Sequence, residues 1–252
     1  MTHPLVCAIM LTRDRPAMAA RAVECFRRQT YERKFLFVFD TSISRALAQS
    51  PESEGQSCCW VPGLRAKSIG ALRNQANAVM PQASILIHWD DDDWSHPHRI
   101  AEQVALLQSS GADAVGYREM LTWRQIHNAG LGEAWLYSHP SPSYALGASL
   151  CYWRKTWEQR PFEDVSNGED MKFIEGLKVR TKRFDGIVDS IGDGIVDLQR
   201  LVLMHPPMIY SIHGGNTGAS MLDPAAEVAR GNKQWKRVPE WDDYCAERMK
   251  LS

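Results

Sequence analysis

The sequence predicts an α/β protein built around a mostly parallel sheet, and three observations carry that expectation. Apolar runs at residues 5–11 (Leu-Val-Cys-Ala-Ile-Met-Leu), 35–39 (Phe-Leu-Phe-Val-Phe) and within 84–89 have the length and hydrophobicity of buried strands. Between the first two lies a segment with Met18, Ala22, Val23 and Phe26 at helical spacing. Each run then ends at a polar side chain, Thr12, Asp40 or Asp90. Strand, helix and strand in that order make a βαβ unit, which requires parallel pairing.

Taken along the chain, the first run leads into a polar turn, Thr12-Arg13-Asp14-Arg15-Pro16, whose Pro16 suits the first turn of a helix over 17–29. Residues 41–57, polar with Pro51 and Gly55, read as a loop after the second strand. Cys58 to Val61 is expected as a short strand and Lys67 to Met80 as a helix before strand 84–89. Pro97 is expected to open a helix to about Ser109 that buries Ile100, Val104 and Leu107 and stops at Gly111. Ala112 to Tyr117 reads as a strand, and 121–137 as short strands with a hairpin around Asn128 to Gly132. Ala145 to Trp153 also reads as a strand, followed by a short helix broken at Pro161. Ser166 to Asp170 leads into an amphipathic helix from about Met171 to Lys178. Asp185-Gly186-Ile187-Val188-Asp189 recurs as Asp193-Gly194-Ile195-Val196-Asp197, which fits two short strands or a local duplication. Residues 207–212 read as the last strand, ending at His213-Gly214-Gly215-Asn216-Thr217, with a polar tail anchored by Trp235 and Trp241. No stretch has linker composition. One domain over 1–252 is expected, with a first half at 1–117, a second at 118–220 and a tail at 221–252.

The chemistry concentrates in Ile85-Leu86-Ile87-His88-Trp89-Asp90-Asp91-Asp92-Asp93-Trp94, where a strand ends in four consecutive carboxylates. Like charges repel, and burying them is costly unless a cation or hydrogen bonds compensate. A strand end holds such a cluster rigidly, and hard divalent cations prefer oxygen ligands. A solvated acidic turn is the alternative, but Trp89 and Trp94 bracket the acids with apolar surface that such a turn does not need. The stretch reads as a site for a divalent metal and a phosphate-bearing ligand. Ligands of open α/β sheets sit at the carboxyl ends of strands, which puts Thr12, Asp40 and Asp90 on one rim.

Composition narrows the class. Hydrophobic residues at 44% and charged residues at 23% are ordinary for a globular protein, and the net charge of −1 gives no support for a nucleic-acid or membrane partner. The six cysteines show no zinc-type spacing, and Cys7 and Cys151 lie in apolar runs, so a reducing, cytoplasmic setting is expected. No apolar run reaches the length of a membrane span, so any membrane contact is expected to be peripheral.

Five blocks in order give the chain a family likeness: Ile9-Met10-Leu11-Thr12-Arg13-Asp14-Arg15-Pro16, Phe37-Val38-Phe39-Asp40, Gly70-Ala71-Leu72-Arg73-Asn74, Asp90-Asp91-Asp92-Asp93 and Gly168-Glu169-Asp170. From about Val6 to Asn216 the chain resembles the family 2 glycosyltransferases of the GT-A fold. The resemblance implies a single nucleotide-binding, Rossmann-like domain with a mixed, mostly parallel sheet flanked by helices. It also implies inverting transfer of a sugar from a nucleotide diphosphate sugar, UDP-linked, to an acceptor hydroxyl, with Mn²⁺ or Mg²⁺ as cofactor.

Residue by residue, the resemblance puts Thr12, Arg13 and Asp40 against the nucleotide, with Asp40 accepting from a uracil N–H. Many members carry two acids where this chain has Phe39-Asp40, and a turn or helix cap stays open for Asp40. Arg73, with Lys67 as the weaker candidate for the same ligand, would meet the donor phosphates or the DxD carboxylates; a surface helix charge is the alternative. In the register Asp90-x-Asp92, Asp90 lies towards the ribose or the metal, Asp91 towards the donor, and Asp92 binds the metal, although four acids in a row leave Asp91 and Asp93 open as ligands. Asp170 is the implied general base and Glu169 its backup or an acceptor ligand, against the alternative of a solvated helix start. His213 either completes the metal site or is a turn histidine; His88 reads as structural, and His96 and His98 as the start of the next helix. Of Trp89, Trp94, Trp123, Trp135 and Trp153, some are expected along the acceptor and most in the core.

Two other classes stay in view. A nucleotidyltransferase needs a glycine-rich phosphate loop, which Thr12 to Pro16 lacks. A non-catalytic GT-A-like domain that only binds nucleotide or sugar is disfavoured by intact Asp90, Asp92 and Asp170. The expected acceptor is a saccharide or glycolipid. A modified nucleic-acid base is the minority expectation, resting on local charge from Arg13, Arg15, Arg27, Arg28, Arg33 and Lys34.

Overall fold

The computed structural model describes residues 3–42, 58–62, 66–126, 131–183, 187–188, 204–213 and 223–250. The opening βαβ unit forms as its pattern predicts: β1 (Val6–Thr12), α1 (Pro16–Arg27) and β2 (Lys34–Asp40). Pro16 sits at the first helical turn, where its missing N–H leaves no bond unmade. There follow β3 (Cys58–Pro62), α2 (Ile69–Ala78), β4 (Ile85–His88), the two-residue β5 (Trp94–Ser95) and α3 (Arg99–Ser110). The Ser68 hydroxyl caps α2 by accepting from Ala71 N at 3.1 Å. Gly111, at φ 57°, ends α3 in the left-handed conformation that glycine adopts at least cost.

The second half runs β6 (Ala114–Tyr117), β7 (Glu119–Gln125), β8 (Gly132–Ser138), a 3₁₀ turn at Gly147–Ser149, β9 (Cys151–Trp153), α4 (Arg154–Gln159) and α5 (Glu169–Ile174). Then come β10 (Val179–Lys182), β11 (Ile187–Val188), β12 (Met204–His205), β13 (Met208–Ile212), α6 (Pro224–Ala229), β14 (Trp235–Arg237) and α7 (Asp242–Met249).

Seven strands make the main sheet in the order β10-β6-β9-β4-β1-β2-β3. All its pairings are parallel except those of β9, which runs antiparallel between β4 and β6. This is the mixed, mostly parallel α/β architecture the sequence predicts. A second sheet has the order β14-β8-β7-β13-β5, and β11 pairs with β12 alone. The central strand explains the core. Val6, Ala8 and Met10 on one face of β1 pack with Ala22, Val23 and Phe26 of α1, while Cys7 and Ile9 on the other join Ala76, Leu86 and Tyr152. Each fully buried large apolar side chain contributes about 1.5–3 kcal/mol. Among the described residues no helix is long and apolar enough to cross a membrane, and all six cysteines are free.

Several expectations need correction. Ala145 to Trp153 is not one strand: only Cys151–Trp153 pairs, because Ser149 Oγ turns back to bond Leu146 O at 2.7 Å and to accept from Tyr117 N at 2.8 Å. The helix expected at 171–178 begins at Glu169 and ends at Ile174; Gly176, at φ 76°, turns the chain, and Val179–Lys182 joins the sheet. Helix α3 starts at Arg99 rather than at Pro97, with His96 and His98 ahead of it. β14 follows the strand read as the last. The interior of the 41–57 loop, the tip of the predicted hairpin, most of the repeated Asp-Gly-Ile-Val-Asp segments and residues 214–217 lie outside the described residues.

Candidate active site

Parallel pairing brings the carboxyl ends of three strands to one rim. Thr12 of β1 is in register with Asp40 of β2, and Ile9 with His88 of β4, so the acids at 90–93 emerge beside the end of β1. These acids also leave the main sheet: β4 ends at His88 and β5, in the smaller sheet, begins at Trp94. Trp89 is locked beneath them, with its indole N–H donating to Ala22 O at 2.9 Å and the Arg99 guanidinium 5.0 Å from its ring.

Each carboxylate has its own setting. Asp91 Oδ2 accepts from the Thr12 hydroxyl at 2.7 Å. The Arg15 Nη1 lies 3.1 Å from Asp91 Oδ1 and 3.0 Å from Asp92 Oδ2, bridging the two. His213, just beyond β13, places Nε2 3.0 Å from Asp92 Oδ2. Asp93 Oδ1 accepts from Ser211 N at 2.9 Å, while its Oδ2 is buried with no partner among the described residues. Arg21 donates to the Asp92 carbonyl and to the Met249 carbonyl, both at 2.6 Å, and so ties the cluster to the chain's last described helix.

The cluster is short of positive charge. Burial, then the neighbouring Asp92, pushes Asp91 up to about 6 against the pull of Thr12 and Arg15. Burial, followed by Asp92 and Asp90, pushes Asp93 well above the usual carboxylate range. Asp90 is raised by burial despite Arg73 beside it. Carboxyl oxygens of Asp90, Asp92 and Asp93 come within 4.8 Å of one another. Buried, mutually repelling hard oxygen donors with one orphaned oxygen are the donor set that suits a divalent cation.

Two cavities meet at this cluster. A cleft of about 790 Å³ is bordered by Thr12, Arg13, Arg15, Lys67 and Asp90 to Asp92. A smaller cavity of about 280 Å³ lies on the other side, with Glu169 and Asp170 in its wall. Arg73, Asp90 and Tyr210 border both. Arg73 Nε donates to Glu169 Oε1 at 3.2 Å, and both side chains are buried. Burial opposes the Arg73 charge, but Asp90, Glu169 and Asp170 outweigh it and raise its pKa. Glu169 is raised by burial in spite of this partner. Asp170 is half-buried, accepts from Met171 N at 2.8 Å and packs its carboxylate on Gly147.

Of the residues singled out from sequence, Thr12, Arg13, Lys67, Arg73, Asp90, Asp91 and Asp92 share the cleft. His213 reaches Asp92, and Glu169 and Asp170 face the adjoining cavity. Asp40 stands apart: its Oδ1 accepts from Ser42 N at 2.8 Å in a local turn, and Thr41, not Asp40, borders the cleft. His88 is structural, neutral from burial first and Arg73 second, and donates to Gly147 O at 2.7 Å. None of the five tryptophans named for the acceptor borders the smaller cavity; Trp235 does. Sequence reasoning also missed Arg15 as the bridge between two acids, although it stands in the first matched block.

No protein-family profile matches the chain, and no curated protein matches it in sequence. Solved structures do match in fold. The mannosyltransferase PcManGT from Pyrobaculum calidifontis, in complex with GDP-Man and Mn²⁺, superposes with a TM-score of 0.60 at 13% identity, covering 98% of this chain and 70% of that one. TarS 1-349 from S. aureus in complex with UDP-GlcNAc gives a TM-score of 0.59 at 11% identity over 84% of this chain and 60% of that one. TarS 1-349 with UDP gives 0.55 at 12% over 71% of this chain, which spans 57% of that protein's length. At such identity the likeness is one of fold, GT-A-like and shared with glycosyltransferases.

Proposed function

We propose that the protein is a divalent-cation-dependent glycosyltransferase that moves a sugar, with inversion, from a nucleotide diphosphate sugar to an acceptor hydroxyl. The observation that carries this reading is the placing of the acids between two cavities, one bordered by cations and one by a half-buried carboxylate. Thr12, Arg13 and Lys67 suit the nucleotide and its phosphates, and Arg15 and Arg73 supply guanidinium forks for phosphate oxygens. Asp40 contributes through the turn that presents Thr41 to the cleft rather than from the cleft wall. UDP is the favoured nucleotide from the family likeness.

Asp92 and His213, with Asp90 and Asp93 beside them, are the residues to hold Mn²⁺ or Mg²⁺. Such an ion, when bound, neutralises charge on the diphosphate leaving group. Asp170 faces the smaller cavity with an uncommitted oxygen, so it takes the proton as the acceptor hydroxyl attacks the anomeric carbon and the bond to the diphosphate breaks. Glu169 is held by Arg73 and serves to orient that arginine. Incubation with UDP- and GDP-sugars, with and without Mn²⁺, tests the reading. Cation-dependent transfer or donor hydrolysis supports it; pyrophosphate chemistry or binding without turnover refutes it.

A further inference from the structure

The smaller cavity carries more information than the presence of Asp170. Its outer wall comes from the second sheet through Tyr137 and Trp235, from the loop after β8 through Tyr144, and from the segment before β14 through Asn232 and Gln234. Tyr137 and Trp235 pack with centroids 4.8 Å apart, and Tyr144 stacks on His139 at 3.7 Å and 25°. His139 lies 6.5 Å from Tyr137, so the four rings form one row. The row is uncharged, because burial lowers the His139 pKa and its Nδ1 accepts from Ser141 N at 3.2 Å. The Trp235 indole N–H is buried with no protein acceptor among the described residues. Neither Tyr137 nor Tyr144 hydroxyl makes a hydrogen bond there, and burial raises both phenols, so both stay protonated donors.

The inner end has the opposite character. Asp90, Glu169 and Asp170 stand there against the single guanidinium of Arg73, which is already held by Glu169. A phosphate or carboxylate on the occupant would therefore meet three carboxyl groups in a partly enclosed, low-dielectric space. Flat aromatic faces and hydroxyl and amide groups suit a ring with one apolar C–H face and an equatorial set of hydroxyls. The volume of about 280 Å³ stands just under the range of small-molecule pockets, roughly 300–1,000 Å³, and admits about one such ring.

We infer that this cavity is the subsite for an uncharged sugar residue of the acceptor, held on the Tyr137–Trp235 side and offering its hydroxyl to Asp170. The inference rests on the transferase reading for the role of Asp170. It adds that the acceptor's reacting unit is neutral, which excludes uronate and sugar phosphate acceptors at this position.

Saturation-transfer NMR on the full chain tests it, with methyl β-glucopyranoside, glucuronate and cytidine as probes, each with and without UDP and Mg²⁺. Transfer to the methyl glycoside is expected, on the order of tenfold stronger than to glucuronate at equal concentration. Tyr144→Ala and Gln234→Ala should each weaken the glycoside signal. Trp235→Phe keeps an aromatic ring in the wall while removing the indole N–H, and should weaken the signal too without risking the fold. Equal or stronger transfer to glucuronate, transfer to cytidine alone with UDP present, or signals unchanged in all three variants would overturn the inference. Calorimetry of UDP with Mg²⁺ on the same samples separates the two readings. UDP binding without glycoside binding sinks the subsite alone; glycoside binding without UDP binding supports the subsite and refutes the transferase.

Discussion

Gly147→Ala should disable the site while leaving the protein folded. A Cβ built on Gly147 would lie 2.0 Å from Asp170 Oδ2, 2.8 Å from its Cγ and 3.0 Å from its Cβ. Contacts below 3.0 Å do not occur at real Cβ atoms, so the carboxylate oxygen must retreat by about 1 Å or more. The backbone at 147 is the less yielding partner. Its carbonyl accepts from His88 Nδ1 at 2.7 Å and from Leu150 N at 3.2 Å, whereas the half-buried Asp170 carboxylate is held by one hydrogen bond, from Met171 N. Asp170 would lose its bond from Met171 N, about 1 kcal/mol, and Tm should fall by roughly 2–4 °C for a chain of this size. Misplacing a reacting group by about 1 Å costs on the order of 10²-fold in rate. Steady-state transfer assays and thermal melts on Gly147→Ala, Asp170→Asn and the double variant form a cycle. If Gly147 matters through Asp170, the alanine should cost little once Asp170 is already asparagine. An equal loss in both backgrounds, or full activity in the single variant, would refute the argument.

Four further outcomes are expected. Asp92→Asn and His213→Ala should abolish or weaken Mn²⁺-dependent UDP affinity in calorimetry with circular dichroism unchanged; intact affinity in both would move the ligands to Asp90 and Asp93. Asp170→Asn should cut transfer by roughly 10²–10⁴-fold with donor affinity retained. Glu169→Gln should instead show first in denaturant melts, approaching the roughly 3–5 kcal/mol of a broken buried pair, because Arg73 loses its charged partner. Arg15→Gln should tighten Mn²⁺ binding measured without nucleotide, since it frees Asp91 and Asp92, and loosen UDP binding measured with the ion; changes of the same sign in both titrations would contradict the bridging role.

The first half of the fold was legible because burial on both faces leaves a mark: runs such as 35–39 are apolar along the whole length of a strand. The acids were legible for the complementary reason, since four carboxylates between two tryptophans are expensive without a purpose. Local sequence failed where long-range contacts decide the backbone. Residues 145–153 are apolar enough for a strand, yet Gly147 is shaped by Asp170 and Ser149 by Tyr117, partners 23 and 32 positions away. Arg15 looks like any turn cation until two distant carboxylates turn towards it. The outer wall of the smaller cavity was least visible, because Tyr137 and Trp235 meet only through the pairing of β8 with β14. Neither strand carries a motif, and sequence attention had gone to tryptophans that the core absorbs.

The five residues from Trp89 to Asp93 are also a covalent tie between the two sheets, since β4 belongs to one and β5 to the other. β5 spans two residues and holds to β13 across two register positions, whereas β13 is also held to β7 across four, so β5 is the weakly held edge of the smaller sheet. β13 itself faces the acids: Ser211 N–H bonds Asp93, and His213, just beyond the strand, bonds Asp92. Detachment of β5 from β13 would therefore pull the acids away from Ser211 and His213 without melting the main sheet. By mass action the coupling runs both ways, and an ion at 100 times its Kd would hold the edge closed by about 2.7 kcal/mol, slowing exchange of the Ser211 amide by roughly 10²-fold. An ion bound at the acids would thus double as a fastener between the two sheets.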